Sequence, residues 1–252
     1  MYFFLSGGIT MRRKKNLKKL LNLGLLDYTN LTPKIGEMDM PYIRCQTVPT
    51  LDYLATYSQP STYFRTSNTA VSFFEYDVFF DGLYGLWSAI YYGIAELQDF
   101  YRERFHGVRC FIAPDFSKCG DVSEAENVHR QFRSRIVAIW LTMNLNAVVI
   151  PLVSCANATG MKYMLDGMQD CSIVAFNAKG PMGDPNQLPV FKESIQYAVD
   201  HLPNLKSIVI YTASPSDEKV KEIFSYAIAR EIELQIPDNM LRQRNRLRGG
   251  CA

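Results

Sequence analysis

Along most of this chain, short apolar runs alternate with longer stretches whose apolar residues recur every three or four positions. From about residue 71 the two patterns succeed one another regularly, which predicts strands alternating with helices. Strands are expected at residues 72–79, 109–115, 147–154, 172–178, 207–212 and 232–236, and helices at 83–104, 123–144, 159–168, 188–202 and 216–230. Inner runs such as Val148-Val149-Ile150 and Ile208-Val209-Ile210 are apolar throughout, as in parallel strands covered on both faces. Two helix starts are marked by their residues: Ser123 precedes Glu124 and Glu126, and Ser216 precedes Asp217 and Glu218. Acids there face the positive end of the helix dipole.

Ahead of this region, residues 11–26 mix cations with Leu17, Leu20, Leu21, Leu23, Leu25 and Leu26, an amphipathic helix with an apolar side to dock. Residues 30–60 are rich in Pro, Thr and Tyr without a sustained period and read as an irregular segment laid over the domain. The expected fold is α/β: a single domain of about six mainly parallel strands alternating with helices. A partial or distorted TIM-barrel-like form is the first expectation and an open doubly wound sheet the alternative, with an N-terminal helical and irregular extension. The division is residues 1–70 for the extension, 71–238 for the α/β domain and 239–252 for a basic tail.

Charge is segregated in a way the net +2 conceals. Arg12, Arg13, Lys14, Lys15, Lys18 and Lys19 precede every acid, and Arg242, Arg244, Arg246 and Arg248 follow the last one, Asp238. With those ten set aside, 17 of the 27 cations face all 25 acids, giving the body a net charge of −8. Basic arms on an acidic body suit phosphate neutralisation on DNA or RNA, or docking on a protein partner or on the chain's own body. The six cysteines are irregularly spaced and the first ten residues place an apolar patch before the cations, the reverse of a secretory leader. Reduced thiols in a cytoplasmic protein are expected, and no apolar stretch is long enough for a membrane span.

In either α/β architecture ligands bind beyond the carboxyl ends of the parallel strands, so the residues leaving each strand are the candidates. Asp115 is the sharpest: a carboxylate behind Phe111, Ile112 and Ala113 is costly to desolvate unless a cation, a metal such as Mg²⁺ or a hydrogen-bond donor meets it. It is assigned as metal ligand or general base, and equally fits a cap of the following turn. Lys179 is its expected cationic partner and anion holder, and Asp238 an orienting group in the same catalytic set. Ser117, Ser154, Asn157, Asn177 and Thr212 complete a ligand-binding ring on the strand ends. Glu75 and Asp77, two apart on the first strand, share a face and, with Asp81, are weighed as a Mg²⁺ site against a plain acidic edge.

His106, Cys110 and Cys119 straddle a strand and do not make a convincing zinc set; Cys155 reads as a buried inert thiol. The glycine-rich phosphate loops and the serine nucleophile elbow are absent from the sequence. Residues 180–186, with Gly180 and Gly183, form a long connection suited to a lid.

The runs Phe105-His106-Gly107-Val108-Arg109-Cys110, Ala113-Pro114-Asp115-Phe116-Ser117, Val149-Ile150-Pro151-Leu152-Val153-Ser154, Leu165-Asp166-Gly167 and Ser172-Ile173-Val174-Ala175-Phe176 together resemble an uncharacterised domain-of-unknown-function family. Its members are bacterial, phage and mobile-element proteins, and the likeness covers roughly residues 71–239. Pro-Asp-Phe-Ser is its most specific element. Members tend to carry an aromatic residue after the Ile-Pro-x-x-Ser run, where this chain has Cys155. The resemblance implies a mobile-element setting and no particular activity. The sequence as a whole points to a nucleic-acid-associated protein whose strand-edge acidic pocket binds or acts on a phosphate-containing ligand. A small-molecule hydrolase with a barrel-top site and a non-catalytic interaction module stand as alternatives.

Overall fold

A computed structural model describes residues 20–249. A two-residue antiparallel pair, β1 (Lys34–Ile35) and β2 (Met40–Pro41), precedes seven parallel strands. These are β3 (Tyr53–Thr56), β4 (Thr69–Ser72), β5 (Cys110–Ile112), β6 (Val148–Ile150), β7 (Ile173–Asn177), β8 (Ser207–Tyr211) and β9 (Glu233–Gln235). Helices α1 (Leu86–Tyr92), α2 (Ala95–Arg104), α3 (Glu124–Leu145), α4 (Met161–Met164), α5 (Leu188–His201), α6 (Asp217–Ile223), α7 (Ser225–Ile228) and α8 (Met240–Gly249) alternate with them. This is the α/β class that the alternation of apolar periods predicts.

The strands form a sheet of order β3-β4-β5-β6 and another of order β7-β8-β9. Single parallel bridges join them at both seams: Leu152 with Ala175 beyond β6, and Tyr53 with Asp238 beyond β9. Backbone hydrogen bonds back both bridges, Ala175 N–H to Pro151 O at 2.8 Å and Leu54 N–H to Asp238 O at 2.8 Å. Pairing therefore passes from strand to strand in a cycle that returns to β3, with every carboxyl end on one side.

The core follows from the continuous apolar runs. All five residues of β8, Ser207–Tyr211, are buried, and Phe73, Phe105, Phe111, Trp140 and Phe176 are almost wholly removed from water. Edge-to-face rings knit the layers, Phe105 against Phe111 at 5.1 Å and Phe176 against Phe191 and Phe224. Helix α3 begins with Glu124 and Glu126 in its first turn and stops at Asn146, in the left-handed region at φ 51°. Asparagine tolerates that conformation better than most residues. The indole of Trp140 on α3 donates to Gln98 Oε1 at 3.0 Å, tying α3 to α2.

Several expectations are corrected. The strand expected at 72–79 lies earlier, at Thr69–Ser72. Past it the chain leaves the sheet because its acids find partners elsewhere: Ser58 donates from N and Oγ to Glu75, while Ser117 and Arg130 donate to Asp77. Glu75 and Asp77 thus share no strand face. The helix expected at 83–104 is broken at Gly93, left-handed at φ 67°. The 216–230 helix divides at Phe224 into α6 and α7. Residues 30–60, expected to be irregular, contribute β1, β2 and β3. The cationic part of the helix expected at 11–26 lies outside the described residues. Among the described residues no helix is long and apolar enough to cross a membrane.

Candidate functional site

Beyond the carboxyl end of β5 the chain runs Ala113-Pro114-Asp115-Phe116-Ser117-Lys118, and α3 pins this loop at three points. Ser134 donates to Pro114 O at 2.7 Å, Arg130 to Ser117 O at 3.0 Å, and Asn127 exchanges two hydrogen bonds with the backbone of Cys119. Both Asp115 and Lys118 are thereby held over the strand ends. Asn177, the last residue of β7, donates its amide to Asp115 Oδ2 at 2.8 Å. Lys118 Nζ reaches across to the end of the β6 segment and donates to both Ser154 O and Ser154 Oγ, each at 2.7 Å.

Two clefts open at this edge and share Asp115, Ser117, Asn177 and Gly180 as their common wall. The first, of about 470 Å³, has an aromatic side of Phe74, Tyr76, Phe79 and Tyr211, with Glu75, Lys179 and Arg244 also lining it. Phe74 stacks on Tyr211 with ring centroids 4.7 Å apart. The second, of about 740 Å³, is the more polar: Lys118, Ser154, Cys155, Asp121, Asp184 and Gln187 line it, together with part of the 180–186 loop.

Burial sets the protonation states here. It pushes the Asp115 carboxyl above its ordinary range, against the hydrogen bond from Asn177 and the charge of Lys118, and the Asp77 carboxylate adds to the rise. The Lys118 amine is brought down to about 8, chiefly by burial; Asp115 opposes the change and Arg135 reinforces it. Desolvation outweighs mutual attraction, so both groups are held toward their neutral forms. Burial likewise lifts the Cys155 thiol to about 11, which leaves it protonated at neutral pH.

The structure brings together Asp115, Ser117, Asn177 and Lys179 in the first cleft, with Ser154 in the second. Lys179, however, is not within ion-pair distance of Asp115 and lies over the Tyr76 ring at 5.9 Å; Lys118 is the cation whose charge Asp115 feels. Asp238, Asn157 and Thr212 line neither cleft. Asp238 bridges to Tyr53 and is 3.4 Å from Arg246. Asn157 caps the turn at Ala158–Gly160 by accepting from Gly160 N at 3.0 Å. Thr212 is fully buried, and its hydroxyl accepts from Ser214 N at 3.0 Å.

Nor does the Mg²⁺ expectation find a donor set. Among the described residues no three His, Cys, Asp or Glu side chains gather to hold a metal. Asp115 is met by the Asn177 amide, and Asp77 and Asp81 are engaged by Arg130 and Arg133. The tail also divides. Arg242 is 1% exposed and spent internally, donating to Ser214 O, Ile236 O and Asp217, so it is no phosphate contact. Arg246 pairs with Asp217 and Asp238, while Arg244 and Arg248 are exposed and have no ion pair among the described residues. Arg12, Arg13, Lys14, Lys15, Lys18 and Lys19 lie outside the described residues.

Sequence reasoning missed Lys118 and the aromatic wall. The available signal for Lys118 was its place three residues after Asp115 in the same post-strand loop. In comparisons with known proteins, a family model described as a domain of unknown function (DUF4417) matches residues 33–228. No curated protein and no solved structure matches the chain.

Proposed function

The chain belongs to the DUF4417 family of unknown function, and from the chemistry of its strand-end edge we propose that it binds a nucleotide in the aromatic cleft. The base lies against the exposed Tyr76 and Phe79 rings, which Phe74 and Tyr211 back from the core, and the phosphate is held by Lys179 and Arg244. One observation carries this reading: both cations are exposed on the rim of an aromatic-walled cleft, and neither has an ion-pair partner among the described residues. Cations left without protein carboxylates beside stacking surfaces suit a ligand that supplies both an anion and a ring. Glu75, on the same wall, is occupied by Ser58. Asp115, held toward its protonated form and oriented by Asn177, serves as a proton donor to the ligand. Ser117 is a further polar contact. In extended form the ligand is a DNA or RNA strand whose phosphates follow Arg244 and Arg248 on α8, and the cations among residues 12–19 add charge for it to neutralise. The bacterial, phage and mobile-element setting implied by the family resemblance suits nucleotide handling.

Calorimetric titration with nucleoside 5′-monophosphates and the matching nucleosides tests the reading. Lys179→Ala and Arg244→Ala are each expected to weaken nucleotide binding about tenfold, equivalent to about 1.4 kcal/mol, and to leave nucleoside binding unchanged. For an oligonucleotide each substitution should also lower the salt slope by about 1. Equal affinity for nucleoside and nucleotide, or a double variant that binds as the parent does, overturns it.

A second reading, a protein-interaction surface, is favoured by the lip of the first cleft. Tyr76, Val78, Phe79, Leu83 and Tyr84 are 57–79% exposed within nine residues, a density of apolar groups typical of contact patches.

A further inference from the structure

The second cleft holds a lysine in an unusual setting. Lys118 is partly buried, yet no carboxylate lies within ion-pair distance of it among the described residues; its amine instead donates to the two oxygens of one residue, Ser154, at 2.7 Å each. A neutral amine has two N–H groups and one lone pair. Ser154 takes both N–H groups, which leaves the lone pair as the unsatisfied position of a side chain that lines a cleft of about 740 Å³. A protonated amine in the same place has a third N–H with no acceptor among the described residues, so the site holds its proton less firmly than water does and the neutral form takes over as pH rises through about 8. Burial and the charge of Arg135 act against a proton on this amine, while Asp115, Cys155 and Glu124 act for one, and burial is the largest of these influences. The loop that carries it is clamped to α3, so the amine is fixed in position before any ligand arrives.

We infer that Lys118 is the nucleophilic amine of this protein and that the second cleft takes an aldehyde or ketone, which it binds covalently as an imine. Nζ attacks the carbonyl carbon and the C–N bond forms as the C=O π pair moves onto oxygen. That oxygen then leaves as water with one hydrogen from the amine and one from the Asp115 carboxyl. The products are a protonated imine on Lys118, the Asp115 carboxylate and water, with no redox partner needed. The carboxylate so formed lines the same cleft, and its charge favours the new cation. An imine draws electrons from the adjacent carbon, so the chemistry it serves is cleavage or formation of a bond at that carbon. Cys155 lines the same cleft but does not compete, since its thiol remains protonated. The inference does not depend on nucleotide binding in the first cleft.

The test uses the intact chain, with propanal as a probe that has neither phosphate nor ring, and cyanoborohydride to reduce the imine to a stable secondary amine. Peptide mapping after short exposure at pH 7 is expected to place modification at Lys118 on the order of a hundredfold faster than at exposed lysines such as Lys192 and Lys219. That ratio follows from the gain in neutral fraction when burial lowers the Lys118 amine from its ordinary 10.5 to about 8. The rate at Lys118 should level off above about pH 8. Ser154→Ala, which removes one of the two acceptors, should reduce the selectivity. Modification of Lys118 no faster than of the surface lysines in the unaltered protein, or a Lys118 rate that climbs to pH 10 without a plateau, overturns the inference whatever the variant does.

Discussion

Replacing Lys118 by methionine keeps the length and much of the volume of the side chain while removing an amine whose proton the fold opposes. Burial lowers that amine from its ordinary 10.5 to about 8, a difference worth about 3 kcal/mol against folding while the amine is charged in both states. Methionine also forfeits two hydrogen bonds to Ser154, worth about 1 kcal/mol each. At pH 7 the variant should therefore be more stable than the parent by about 1 kcal/mol. The folded pKa lies below the unfolded one, so the parent's penalty is complete below about pH 8 and is relieved as pH rises toward 10.5. Over that window the unfolded chain holds the extra proton, and the parent gains up to about 1.4 kcal/mol per pH unit. The order of stability should thus reverse, with Lys118→Met the weaker protein near pH 10. Urea denaturation of both proteins from pH 6.5 to 10, compared as a difference, isolates this group from all other titrations. A difference that stays flat between pH 7 and pH 10 refutes the burial argument for Lys118.

Two further outcomes follow from contacts elsewhere. Arg242→Ala should destabilise the fold by about 3 kcal/mol, because it leaves the Ser214 and Ile236 carbonyls without their donor and Asp217 with only the more distant Arg246; Arg248→Ala should leave the melting temperature unchanged, and similar shifts for both would sink the distinction. Gly24→Ala should lower stability by about 2 kcal/mol, since a Cβ there would sit 2.2 Å from the Gly93 backbone nitrogen. Thermal denaturation reads this directly, and an unshifted transition would mean that the turn moves away at no cost.

Much of the sheet was legible in the sequence because its strands are apolar from end to end. Val148-Val149-Ile150 and Ile208-Val209-Ile210 need no partner to be recognised. Tyr53-Leu54-Ala55-Thr56 is different. It sits among prolines and tyrosines without a period of its own, and it is extended because β4 pairs with it on one side and Asp238 on the other. Asp115 and Asn177 were readable as strand-end groups. Lys118 was not, since its position depends on Asn127, Arg130 and Ser134 of a helix that only tertiary structure brings over the loop. In the tail, nothing local separates Arg242 from Arg244. The separation comes from Asn239, whose side chain caps α8 by accepting from Arg242 N and so turns that residue toward Ser214. The cation assigned to Asp115 was misplaced for the same reason: the strand-end pattern offers Lys179 beyond β7, whereas the fold supplies the lysine from the acid's own loop.

The meeting of Tyr53 with Asp238 also bears on how the molecule can be made. A polypeptide leaving the ribosome exposes β3 long before residue 238 exists, so for most of synthesis that strand has β4 on one flank and an open flank on the other. Until translation reaches the last strand, this flank is available to any extended peptide nearby. Completion of the circuit is therefore a late event in synthesis, and chains stalled before it are the ones most exposed to mispairing.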